Sequence, residues 1–277
     1  MTIKTNSRKY LYLFILCVMI TACSTSKYAK TDKVYKKLAK NYSKMIKSSP
    51  PKNQSIDTLG TQQGLWVGTV NMGIRRPNFV IIHHTAQDST AQTLKTFTMT
   101  KTQVSAHYVI GRDGKTYQMV NDYLRAQHAG ISKWGNSTDL NSSSIGIELD
   151  NNGFEPFSEA QINSLCTLLA ALKKRYSIPT PNFIGHADIA PTRKPDPSNF
   201  PWKVLAGKGF GLWYDEIIET PPLEFDTAIA LRIIGYDIRN LDAAVIAFKR
   251  HFIQTDITPV LSEVDKAVLF NLYKKYM

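Results

Sequence analysis

Pro181-Asn-Phe-Ile-Gly-His-Ala-Asp-Ile-Ala-Pro-Thr-Arg-Lys-Pro-Asp-Pro197 is the stretch around which the other features of the chain fall into place. Phe183 and Ile184 form a short apolar run that leads through Gly185 into His186. Asp196 follows between Pro195 and Pro197, with Lys194 two positions before it. A strand holds an imidazole in a fixed direction. Prolines pre-set φ, so a loop that presents a carboxylate loses less entropy when the carboxylate is placed. Read alone, the stretch is either a two-ligand metal site or a strand capped by a histidine.

Three further stretches bear on that choice: Asn78-Phe-Val-Ile-Ile-His-His-Thr-Ala86, Ser105-Ala-His-Tyr-Val-Ile-Gly-Arg-Asp-Gly114 and Ser144-Ile-Gly-Ile-Glu-Leu-Asp150. Five of the six histidines, His83, His84, His107, His128 and His186, fall between residues 83 and 186. They accompany apolar, strand-like runs, and convergence on a catalytic zinc is the simplest account of them.

Together these stretches resemble the zinc-dependent N-acetylmuramoyl-L-alanine amidases of the type 2 family, related to the phage lysozyme-like amidases and the peptidoglycan recognition proteins. The likeness runs from about residue 76 to residue 206. It implies an α/β fold with a central mixed β-sheet flanked by helices. It implies His83, His186 and Asp196 as zinc ligands and Glu148 and Lys194 as catalytic residues. Many relatives carry Cys where Asp196 stands, so the chain looks like the Asp-bearing, membrane-anchored branch.

The formal net charge of +12 is unevenly placed. Lys4, Arg8 and Lys9 give residues 1–22 a charge of +3, and nine lysines against Asp32 give residues 24–52 a charge of +8. That leaves +1 for everything from residue 53 on, so the folded part lacks the basic patch a nucleic-acid partner requires. Residues 10–20 form an apolar run of 11, short for a membrane span and suited to the core of a secretory leader. It ends in Ile20-Thr-Ala-Cys23, which resembles a bacterial lipobox. The resemblance implies cleavage after residue 22, acylation of Cys23 as a membrane anchor and, with Ser24 next, sorting to the periplasmic face of the outer membrane. Cys166 lies in a helical stripe and reads as a small core residue.

Residues 23–62 read as a basic tether. Tyr35, Leu38, Tyr42, Met45 and Ile46 recur at helical spacing with lysines between them, which suits either an amphipathic helix on anionic headgroups or a solvated linker. An amidase domain is expected over residues 63–212. Residues 78–84 read as a buried strand whose two histidines point to opposite faces, with His83 the ligand and His84 packed. Residues 88–99 read as a helix, and residues 106–121 as a hairpin turned at Asp113-Gly114. His107, His128 and Trp134 are expected at the substrate groove. In residues 144–150, Glu148 shares a face with Gly146, whose missing side chain leaves the carboxylate room to act as a general base. Residues 158–176 read as a helix opened by a capping box of Ser158 and Gln161. Asp188 is either a partner of a ligand or a cap. After Pro221-Pro222, residues 223–277 contain three amphipathic segments that resemble a small peptidoglycan-binding domain, with His251 exposed or capping.

The reaction the resemblance implies is hydrolysis of the amide joining N-acetylmuramic acid, or its anhydro form, to L-alanine in peptidoglycan, by a monomer. The main rival is a non-catalytic peptidoglycan-binding lipoprotein on the same fold. A metal-storage protein would carry a His-rich tract, and a glycosidase would need a carboxylate partner for Glu148.

Overall fold

The computed structural model of the protein describes residues 27–48 and 69–277. Residues 1–26, including the expected leader and Cys23, lie outside them, as do residues 49–68. The chain separates into two units, Met1–Met72 and Gly73–Met277. In the first, α1 (Ala29–Ser48) is a 20-residue helix with no buried residue.

The second unit is built on a five-stranded mixed sheet in the order β3-β2-β4-β1-β5, with β1 at Phe79–His84, β2 at Tyr108–Ile110, β3 at Thr116–Gln118, β4 at Ser144–Leu149 and β5 at Phe183–Gly185. β1 lies between two parallel neighbours, β4 and β5, and its residues from Val80 to His84 are all buried. A parallel strand covered on both faces selects the β-branched run found there. The hairpin turns where expected: Gly111 N–H donates to the Lys115 carbonyl at 2.9 Å, and Gly114 adopts φ +80. The helix expected over residues 88–99 is α2 (Thr90–Thr98), with the Ser89 side chain capping the Gln92 N–H.

The period of two along each strand divides the core into two layers. Val80, Ile82, Ile145, Ile147 and Phe183 pack against α4 (Glu159–Tyr176) and the short α6 (Trp202–Gly207). Ile81 and Ile184 face the other way, into a cluster shared with α7 (Thr227–Ile234), α8 (Leu241–Phe248) and α9 (Glu263–Tyr276). The three C-terminal helices therefore form the second outer layer of the sheet. Each fully buried Ile or Leu in these clusters contributes about 1.5–3 kcal/mol relative to an exposed one.

Only half of the expected capping box forms. Ser158 accepts the Gln161 N–H at 3.1 Å, but the buried Gln161 amide donates to the carbonyls of Ile110 (3.0 Å) and Asp150 (3.1 Å). The Ile110 carbonyl already accepts the Asp150 N–H at 2.9 Å, so the Gln161 amide adds a second bond there and gives the Asp150 carbonyl, at the end of β4, its donor; a buried carbonyl left without one costs about 1–3 kcal/mol.

Candidate metal centre and active site

Three of the four parallel strands, β1, β4 and β5, end on the same edge of the sheet with functional residues, where open α/β folds gather them. His83 is the penultimate residue of β1, Glu148 stands beside it on β4, and β5 runs directly into α5 (His186–Ile189), whose first residue is His186. The loop after α5 returns Asp196, and the Ala187 N–H donates to the Asp196 carbonyl at 2.7 Å.

Three side-chain atoms meet here. His83 Nδ1 lies 3.0 Å from His186 Nδ1 and 3.2 Å from Asp196 Oδ2, and His186 Nδ1 lies 3.1 Å from the same oxygen. All three residues are buried. The far nitrogen of each ring has its own acceptor. His186 Nε2 faces the Ala129 carbonyl at 3.2 Å, which fixes the proton on Nε2 and leaves Nδ1 a lone pair. His83 Nε2 faces His128 Nδ1 at 3.1 Å, and His128 Nε2 faces Ser144 Oγ at 3.2 Å. Ser144 Oγ in turn donates to the Leu140 carbonyl, at the start of α3 (Leu140–Ser143). With each link donating to the next, the His83 proton also sits on Nε2. Two nitrogen lone pairs and a carboxylate oxygen then converge with no proton between them, an arrangement a cation satisfies. Ligands about 2.0–2.2 Å from a tetrahedral zinc stand roughly 3.3 Å apart, close to the observed triangle. The donor set thus fits a divalent ion.

The electrostatics agree. Burial, and then the neighbouring His186, lower His83 to about 4, so it is a neutral ring at working pH. Burial would raise the Asp196 carboxyl, but the two imidazoles outweigh it and hold it well below the usual carboxylate range. Glu148 goes the other way. Its Oε2 is buried with no hydrogen-bond partner, and burial, reinforced by the Asp196 charge and opposed by Lys194, pushes it up to about 8. These groups open onto a cleft of about 340 Å³ that His83, Glu148, His186, Lys194 and Asp196 line together.

The residues expected at the groove divide. His128 lines the cleft, but its ring is 9% exposed and its two nitrogens are spent on His83 and Ser144, so it supports a ligand. Gly146 makes room for this ring and not, as expected, for Glu148: a Cβ there would stand 2.4 Å from His128 Cγ. His107 is fully buried away from the cleft. Its Nδ1 accepts the Gly146 N–H at 3.0 Å and its Nε2 faces the Leu124 carbonyl at 3.0 Å, so it ties β4 to the loop after β3. Trp134 is also buried and lies outside the cleft lining. Its ring meets Tyr236 edge-on at 5.0 Å and fills the space a side chain on Gly235 would need. The Trp134 side chain packs instead in the cluster shared with the C-terminal helices.

His84 points away from His83, and its Nδ1 accepts the Ser198 N–H at 3.1 Å. Asp188 caps the Gly185 N–H at 2.7 Å and accepts from Tyr236 Oη (2.8 Å) and His251 Nδ1 (2.8 Å). His251 is neither exposed nor a cap: it is buried and stacked on Trp202 at 4.0 Å. The C-terminal helices thereby grip the turn that presents His186. The Asp188 cap on Gly185 is the local reading the sequence offered, but no local pattern signals the contacts of Asp188 with Tyr236 and His251 or of His251 with Trp202, because each joins residues far apart in the chain.

A family model described as N-acetylmuramoyl-L-alanine amidase matches residues 73–199. The N-acetylmuramoyl-L-alanine amidase AmiD of Escherichia coli is 36% identical over 234 residues, covering 73% of this chain and 84% of AmiD. The solved complex of E. coli AmiD with the substrate anhydro-N-acetylmuramic acid-L-Ala-D-gamma-Glu-L-Lys aligns with TM-score 0.65 at 33% identity, over 80% of this chain and 97% of that one. AmpDH3 from Pseudomonas aeruginosa, in complex with anhydromuramic pentapeptide, aligns with TM-score 0.66 at 30% identity, over 78% and 98%.

Proposed function

Since the chain belongs to the N-acetylmuramoyl-L-alanine amidase family, we propose how its cleft carries out that hydrolysis. The protein is an enzyme of cell-wall turnover that cuts the amide between N-acetylmuramic acid, or its anhydro form, and L-alanine. The non-catalytic alternative is set aside on this ground. One observation carries the mechanism: a triangle of proton-free donors beside an orphan carboxyl oxygen.

His83, His186 and Asp196 would hold a zinc ion. When bound, it supplies Lewis-acid polarisation of the scissile carbonyl and a more acidic water. Glu148 Oε2 has no other partner, so it is free to accept the attacking water's proton and to return a proton to the leaving nitrogen. Burial raises this carboxyl above the ordinary carboxylate range, which suits it to both taking and giving a proton. Lys194, on the same wall, supports negative charge developing on the carbonyl oxygen. His128 and Ala129 keep the protons of the two ligand rings turned away from the ion.

The lipobox-like Ile20-Thr-Ala-Cys23 supports a lipoprotein, acylated at Cys23 and facing the periplasm from the outer membrane. The C-terminal helices, similar to a peptidoglycan-binding domain, extend this reading to contact with the polymer. Mass spectrometry of a defined anhydromuramyl tripeptide incubated with the enzyme tests the reaction. Release of free L-Ala-led peptide with intact anhydro sugar is expected, dependent on Asp196. Cleavage of any other bond would overturn the proposed mechanism.

A further inference from the structure

We propose that α1 is a docking helix for an anionic lipid bilayer, acting independently of any acyl anchor. At about 100° per residue, its seven lysines (Lys30, Lys33, Lys36, Lys37, Lys40, Lys44 and Lys47) fall within one arc of roughly 120°. Val34, Leu38, Tyr42, Met45 and Ile46 fall in an opposite arc of similar width. Asp32 is the sole acid, in the first turn, where the helix dipole favours it. The five apolar side chains are between 45% and 68% exposed. Most helical stability in proteins comes from packing an amphipathic face rather than from propensity, and no residue of this helix is buried.

The partner must meet two demands at once, an apolar layer and a negative field. An anionic polymer offers the field but leaves the apolar face wet. A second copy of the helix offers the layer, but it brings seven more lysines against one more acid, and an apolar arc this wide exceeds a two-position coiled-coil seam. A bilayer with anionic headgroups meets both: the apolar arc sinks below the headgroups while the lysines above it reach the negative surface. Catalytic residues take no part in this, so the helix sets where the amidase works and not how.

Vesicle co-sedimentation of the unacylated chain from residue 24 onward, which retains every described residue, tests the proposal. Vesicles of phosphatidylglycerol with phosphatidylethanolamine are compared with phosphatidylcholine alone. Partitioning into anionic vesicles is expected to exceed that into neutral ones by at least about 10-fold and to fall as salt rises from about 0.05 to about 0.5 M. The combined change Lys33→Gln, Lys37→Gln and Lys44→Gln is expected to weaken it roughly 100-fold while leaving hydrolysis of a soluble muropeptide unchanged. Leu38→Ser with Met45→Ser is expected to abolish it. Equal binding to both vesicle types, no binding, retention on purified cell wall with none on vesicles, or a Leu38-dependent dimer in their absence would each overturn the proposal.

Discussion

Gly146→Ala probes the architecture behind the metal site with a single methyl group. The added Cβ would meet His128 Cγ at 2.4 Å and its Cδ2 and Nδ1 at 2.6 Å, against ordinary contact near 3.5 Å. The φ of Gly146 is not positive, so alanine costs nothing in its own backbone, and the whole effect comes from the ring. His128 must retreat by about 1 Å, enough to break bonds of 3.1 Å to His83 and 3.2 Å to Ser144. Overpacking costs about 1–3 kcal/mol, and stranding buried polar atoms adds about 1–3 kcal/mol. At about 2–4 °C per kcal/mol for a unit of this size, melting should fall by roughly 10 °C. Freed from His128, the His83 ring loses the contact that fixes its proton, so metal affinity should drop about 10–100-fold, read by competition with a chromophoric chelator. Gly207→Ala, where a Cβ meets nothing within 4 Å, is the control. Adding His128→Ala to Gly146→Ala should restore much of the stability but not the metal affinity. A Gly146→Ala protein with unchanged melting and metal affinity would refute the placement of His128 against His83.

Glu148→Gln should retain its metal and lose about 10²–10⁴-fold in kcat, measured on a muropeptide; near-normal turnover would remove Glu148 from proton transfer. Tyr108 and Tyr176 both donate to Asp122, at 2.8 and 2.7 Å, and burial followed by that hydrogen bond raises both, Tyr176 to about 12. The folded state thus holds these protons more tightly than the unfolded chain, so their contribution is complete below pH ~10 and is lost as pH rises through about 12. Thermal melts across that window should fall less steeply in Tyr176→Phe; an equal slope would contradict the assignment. Tyr236→Phe, which strands one oxygen of Asp188, should lower melting by a few degrees and loosen the metal; stability loss with metal affinity intact would limit the C-terminal helices to a packing role.

The sequence exposed what is periodic and local. The buried strand at residues 78–84, the long helix α4 and the hairpin at Asp113-Gly114 follow from β-branched runs, a 3.6-residue stripe and a turn dipeptide. His83, His186 and Asp196 stood out because motifs mark them, and the fold brings their atoms within 3.2 Å. What surrounds them was not legible. His107 and Trp134 are polar or amphipathic residues near a groove in sequence, and only tertiary packing decides whether such a side chain faces the groove or the core. Gly146 illustrates the same limit: the sequence shows that a side chain is missing, but the ring that fills the gap comes from His128, on a separate loop. His251 carries no hint of burial because its partners, Asp188 and Trp202, lie some fifty residues or more away in the chain.

Anomalous diffraction at the zinc edge, on crystals of the purified enzyme, tests the central claim most directly. A single strong peak is predicted about 2 Å from Nδ1 of His83, Nδ1 of His186 and Oδ2 of Asp196, and lost in Asp196→Ala. A peak held by other side chains, or catalytically active crystals with no peak between these three atoms, would contradict it.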